Sequence, residues 1–145
     1  MKYDAVVFDL DGTLIDTLED LMDSVNYALD EFGFPARTYE EIRTFVGNGV
    51  RRLVYLSVPE GTPDDVSEKC LDVFKAHYLH NSRNKTKPYK GIPELLKAIF
   101  AAGFKTAVVT NKMQDAAVDI VRGFFGDSIH VIIGQVDGVA QKPEP

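Results

Sequence analysis

The apolar positions of this chain keep one rhythm near the N-terminus, another through the middle and a third toward the end. Ala5–Phe8 is apolar at every position and built from β-formers. So short a run without alternation predicts a central parallel strand, covered by helices on both faces. Gly12 and Thr13 break it. From residue 16 to residue 84 the spacing is helical. Leu18, Leu21, Met22, Val25, Leu29 and Phe32 share one face, and Gly33 ends that helix. Thr38 and Glu41 stand at capping-box spacing and open a second helix. Gly47–Gly49 interrupt the pattern, and a third helix starts at Val50. Thr62-Pro63 opens a fourth, with Pro63 at its first position and Val66, Cys70, Val73, Phe74 and His77 on one face. The stretch "NSRNKTKPYKGI", Asn81–Ile92, is polar, basic and proline-bearing, and reads as a linker.

Beyond the linker, helix and strand alternate. A helix over Pro93–Ala102 is closed by Gly103. A strand over Lys105–Val109 runs into Thr110-Asn111-Lys112. A helix over Asp115–Phe125 is closed by Gly126, and a strand over Ile129–Ile133 ends at Gly134. This order predicts an α/β fold with a right-handed parallel sheet. Residues 1–15 and 85–145 then form a discontinuous core, and 16–84 an all-helical insertion. A parallel core of three strands that ends in the coil "GVAQKPEP" is small. We therefore expect it to be incomplete and the chain truncated, with an open edge on the first strand that invites self-association.

Composition narrows the field. The chain has 145 residues and a formal net charge of −6. That balance argues against nucleic acid or an anionic membrane as the main partner, and leaves room for a small anionic substrate. Cys70 is the single cysteine, so no internal disulfide forms, and the simplest setting is the reduced cytoplasm. The apolar run at Ala5–Phe8 is far too short to span a bilayer and lacks the flanks of a signal peptide.

In open α/β sheets the ligand sits at the carboxyl ends of the strands. Three polar clusters fall there: Asp9, Asp11 and Thr13; Thr110 and Asn111; and Lys142. If the first strand stays extended through both carboxylates, alternation puts them on one side. Two anions that close beside an apolar core call for a proton or a cation. Hard oxygen ligands suit Mg²⁺, which takes one or two protein carboxylates and keeps waters. Carboxylates, Mg²⁺, a hydroxyl and a lysine together fit phosphoryl transfer, in which one carboxylate attacks phosphorus. Gly12 lets the backbone turn so that amide N–H groups can face phosphate oxygens. His77, His80 and His130 show no metal-ligand spacing and read as structural or surface groups.

"DLDGTL", followed downstream by "VVTNK" and "KPEP", resembles the haloacid dehalogenase superfamily of aspartate-nucleophile phosphatases. The resemblance covers the whole chain. It implies a Rossmann-like core and a mobile helical cap inserted after the first motif. It also implies Asp9 as nucleophile and Mg²⁺ ligand. Asp11 would be general acid and base, binding the metal through its backbone carbonyl. Thr110 would hold a phosphate oxygen through its hydroxyl, and Asn111 would assist through its backbone amide. Lys142 would neutralise phosphate and orient Asp9. "FVGNGVRRL" resembles the cap specificity loop of the phosphoglycolate-phosphatase branch. That implies a small phosphorylated metabolite as substrate, with Asn48 and Arg51 or Arg52 as candidate contacts. The family also needs a fourth, acidic motif that this sequence does not contain, so the chain as given is expected to bind Mg²⁺ poorly and to turn over slowly or not at all. A phosphomutase sharing the core, and a non-catalytic phosphoacceptor module of the receiver type, are the competing readings. The long helical insertion speaks against the second.

Overall fold

A computed structural model of the chain describes residues 2–144, so Met1 and Pro145, the last residue of "KPEP", lie outside the described residues. Its elements run β1 (Ala5–Phe8), β2 (Ile15–Asp16), α1 (Leu18–Glu31), α2 (Tyr39–Phe45), α3 (Val50–Ser57) and α4 (Asp64–Asn81). They continue with β3 (Lys87–Pro88), α5 (Ile92–Ala101), β4 (Lys105–Met113), α6 (Gln114–Phe125) and β5 (Val131–Gln135). Two units emerge. Thr17–Thr86 makes one; the residues up to Asp16, together with those from Lys87 on, make the other. Each has its own apolar core.

In the helical unit, Leu21, Val25, Leu29, Ile42, Phe74 and Tyr78 are among the residues that close the core. Gly33, at φ 68°, ends α1, a conformation that costs glycine nothing. The capping box at α2 is formed: the Glu41 N–H donates to Thr38 Oγ1 at 3.2 Å, and the Thr38 N–H donates to Glu41 Oε1 at 3.1 Å. The Thr38 backbone donor, followed by Arg37 at 2.8 Å, holds the Glu41 carboxyl below the usual range. The fourth helix differs from its sequence reading by one residue. Pro63 is extended at ψ 145° and caps the helix, which begins at Asp64. Its buried face is also rotated. Ser67, Cys70, Leu71, Phe74 and Tyr78 are buried, while Val66, Val73 and His77 are only half-buried. The reason is that α4 packs against both α1 and α3, and the stripe between those two contacts is the one that loses water. His77 stacks on Tyr27 and shares a 2.8 Å hydrogen bond with Ser24.

One buried carboxylate ties the two ends of this unit together. Asp20, in the first turn of α1, is 1% exposed. It accepts from the Lys85 N–H at 2.9 Å, the Thr86 N–H at 2.7 Å and the Thr86 hydroxyl at 2.7 Å. Just outside those residues, β2 and β3 pair antiparallel, Ile15 with Pro88 and Asp16 with Lys87. The sequence pattern predicts neither of these two-residue strands.

The other unit holds a three-stranded parallel sheet in the order β1-β4-β5. That order steps in one direction only, so right-handed crossovers put α5 and α6 on the same face. Both helices pack on β4, and Leu10, Leu14, Leu96, Val108, Ile120 and Ile129 are buried beneath them. The opposite face carries Val7, Ala107 and Val131 in register. Val7 is 63% exposed and Ile133 52%. The expectation that β1 is central and covered on both faces is therefore corrected. Among the described residues β1 pairs with β4 alone, as the expected open edge requires, and both crossover helices lie on one face of the sheet. His130 accepts from the Thr106 N–H at 3.0 Å and stacks on Phe100, a structural role.

Strand ends differ as well. β4 continues past Val109 to Met113, with its register against β5 shifted between those residues. Gly134 lies inside β5 rather than at its end. A Cβ there would stand 2.7 Å from the Lys112 carbonyl oxygen and 2.8 Å from Gln114 Cα. Both obstacles are backbone and cannot swing aside. Gly134→Ala should therefore destabilise the fold by about 1–3 kcal/mol, seen as a lower denaturant midpoint with an unchanged slope.

Candidate active site

The loop after β1 is shaped by one carbonyl. Leu10 O accepts from the Thr13, Leu14 and Ile15 N–H groups at 3.1, 2.9 and 3.3 Å, and the Gly12 N–H donates to Ile15 O at 2.9 Å. Gly12 makes this curl practicable at φ 77°, where a side chain would be strained. The strand therefore ends at Phe8, and the two carboxylates do not share an extended segment. The amides of residues 12 and 13 are spent inside the loop and do not point outward as donors. Any amide of this loop that faces a phosphate is therefore neither of these two. Gly12 and Thr13 themselves are exposed.

Each carboxylate has its own lysine. Lys142 Nζ lies 3.0 Å from Asp9 Oδ1 and donates to the Val109 carbonyl at 2.8 Å. Asp9 Oδ1 also accepts from the Leu10 N–H at 2.9 Å. Lys112 Nζ lies 3.3 Å from Asp11 Oδ1. The charge problem that the sequence poses for Asp9 and Asp11 is thus met by two ammonium groups of the same chain.

The end of β4 places these groups. Thr110 is buried, and its Oγ1 accepts from the Lys112 N–H at 3.1 Å. Asn111 clasps the backbone of Lys142: its Oδ1 accepts from the Lys142 N–H at 2.8 Å, and its Nδ2 donates to the Lys142 carbonyl at 3.4 Å. Asp9, Asp11, Thr110, Asn111 and Lys142 are therefore brought together within one unit. Asn48 and Arg51 lie in the helical unit. Asn48 is exposed in the turn before α3, and the Arg51 guanidinium pairs with the Glu68 carboxylate.

Two participants escape the sequence reading. Lys112 falls on the buried phase of β4, with Thr106, Val108 and Thr110. A charged residue on an inward phase was the available signal. Gln114 stitches α6 to β5 by donating to the Ile132 carbonyl at 3.1 Å and accepting from the Gly134 N–H; nothing in the sequence marks it.

Among the described residues no three His, Cys, Asp or Glu side chains stand close enough to form a metal cluster, and no helix is long and apolar enough to cross a membrane.

The open parallel α/β sheet thus carries an acidic loop after its first strand and a lysine returning onto it at the carboxyl ends of the strands, where ligands sit in this architecture. Residues 6–145 match the family model described as haloacid dehalogenase-like hydrolase, and the chain belongs to that family. It is 35% identical over 145 residues to a phosphoglycolate phosphatase of Aquifex aeolicus, covering 97% of this chain and 64% of that protein. It is likewise 35% identical over 150 residues to a phosphoglycolate phosphatase of Mesorhizobium japonicum, covering 100% of this chain and 66% of that one. Among solved structures, a protein of Lactobacillus delbrueckii subsp. bulgaricus assigned as a phosphoglycolate phosphatase superposes with a TM-score of 0.89 at 33% identity, over 100% of this chain and 70% of that chain. The chain thus spans a little under two thirds of the two curated relatives.

Proposed function

We propose that this chain carries the catalytic acids of a Mg²⁺-dependent phosphomonoester hydrolase that works through an aspartyl phosphate. The observation that carries the reading is the junction of Asp9 with Lys142 at 3.0 Å, across 133 positions of sequence. Both hydrogen bonds to Asp9 fall on Oδ1, one from an ammonium and one from an amide. Oδ2 is then the oxygen that attacks phosphorus, while the lysine attracts the phosphate. Asp11 protonates the departing ester oxygen and later takes a proton from the water that hydrolyses the acyl phosphate. The Thr110 Oγ1 already accepts one hydrogen bond, so its O–H proton is the part that donates to a phosphate oxygen. Asn111 holds the Lys142 backbone through its side-chain amide, while its own backbone amide assists at the phosphate.

The Asp9 carboxylate and the Asp11 carbonyl are hard oxygen donors that fit Mg²⁺, which keeps waters in its remaining positions. When bound, the ion supplies charge neutralisation for the transferring phosphoryl group. The helical unit, Thr17–Thr86, is a cap that selects a small phosphorylated metabolite of the phosphoglycolate kind, with Asn48 and Arg51 as contacts. Arg51 would have to leave Glu68 to serve.

The test is release of inorganic phosphate by the complete protein from a panel of small phosphate monoesters, with and without Mg²⁺. Hydrolysis of 2-phosphoglycolate that stops on chelation is the expected result. An isomerised sugar phosphate without free phosphate would make the protein a mutase. A stable phosphoaspartate without turnover would make it a phosphoacceptor. No reaction with any ester would end the proposal.

A further inference from the structure

We propose that Lys112 is a positioning residue that fixes the aim of the Asp11 carboxylate; the proposal rests on Asp11 being the proton donor to the leaving group. Lys112 is 4% exposed. A lysine is almost never buried that deeply unless it is paired. Its ammonium lies 3.3 Å from Asp11 Oδ1, and the Asp11 side chain is 29% exposed. One partner of the pair is therefore walled in by protein, and the other reaches the surface.

The lysine's own position is set from several sides. It sits in β4, and its N–H donates to Thr110 Oγ1 at 3.1 Å. Its carbonyl lies against Gly134, where a side chain would collide at 2.7 Å. Asp11, by contrast, follows Leu10 in a loop closed by backbone hydrogen bonds, and its short side chain is partly exposed. Pairing this loop carboxylate with a buried ammonium held from the interior orients the carboxylate, and orientation of this kind is what proton transfer to a departing oxygen requires.

This role differs from that of Lys142. Lys142 is 38% exposed at its side chain and meets Asp9. Lys112 meets the other carboxylate from the protein interior. Its removal should therefore be felt where the leaving group needs a proton and not where it departs unaided.

Lys112→Met in the complete protein tests this with two esters. For 2-phosphoglycolate, whose alkoxide needs a proton, kcat/KM should fall by on the order of 100-fold, the scale of lost acid catalysis. For p-nitrophenyl phosphate, whose phenolate leaves without one, kcat/KM should fall by less than about threefold. Inhibition by inorganic phosphate should be unchanged. Lys112→Arg keeps the charge and should show the same selectivity with a smaller loss, which serves if the Met variant folds poorly. Asp11→Asn combined with Lys112→Met should lose no more on 2-phosphoglycolate than Asp11→Asn alone. Equal losses on both esters would overturn the proposal, as would weakened phosphate inhibition, which would mean that Lys112 touches the phosphate. If the parent protein hydrolyses neither ester, the phosphatase reading itself fails and this role falls with it.

Discussion

Asp9→Asn is expected to lower phosphate release by at least about a thousandfold, because an amide oxygen cannot take phosphorus to form an acyl phosphate. The fold should hardly notice. The Asp9–Lys142 pair is half in solvent, with the two side chains 50% and 38% exposed, and exposed pairs contribute at most about 1 kcal/mol. Activity and stability should therefore separate. Rapid quenching with a radiolabelled phosphate ester should label the parent protein and not the variant. A labelled Asp9→Asn protein, or one that still turns over, would move the nucleophile elsewhere.

Asp20→Ala should do the reverse. It is expected to cost about 2–5 kcal/mol of folding free energy. The carboxylate is buried and accepts three hydrogen bonds from Lys85 and Thr86. Truncation leaves the Thr86 N–H and hydroxyl, both in a buried residue, without their acceptor. Each unsatisfied buried donor costs about 1–3 kcal/mol. Asp20→Asn keeps one acceptor oxygen and should lose less. The nearby Lys85–Asp23 pair at 2.7 Å is exposed on both sides, so Asp23→Ala should stay within about 1 kcal/mol. Chemical denaturation of the three variants checks the order. A loss for Asp20→Ala no larger than that for Asp23→Ala would show that Asp20 does not hold the ends of the helical unit together.

Much of this architecture is legible in the order of residues. The apolar run at Ala5–Phe8 is a strand with the predicted bounds. The capping box at Thr38 and Glu41 forms, and the turn at Gly47–Gly49 separates two helices. These are local matters, decided by side-chain spacing and backbone freedom within a few residues. Boundaries slipped where a neighbour intervened. β4 runs on to Met113 because Met113 pairs with Gln135 across a register shift, and Gly134 lies inside β5 between the paired Ile133 and Gln135, where the adjacent backbone leaves no room for a side chain.

The candidate site was legible as a set of residues but not as a set of partners. Asp9, Asp11, Thr110, Asn111 and Lys142 stand out by type and place. That Asn111 grips the Lys142 backbone, and that Lys112 faces Asp11, depends on pairings across scores of residues.

What the sequence determined by itself is the succession of elements and the chemistry gathered at the strand ends, since hydrophobic period, caps and turn residues act over short distances. The tertiary structure alone decided which ammonium meets which carboxylate, that Asp20 closes the helical unit, and that α5 and α6 share one face of the sheet. Those outcomes depend on strand order and burial, and segments far apart in the chain set both only once they have packed.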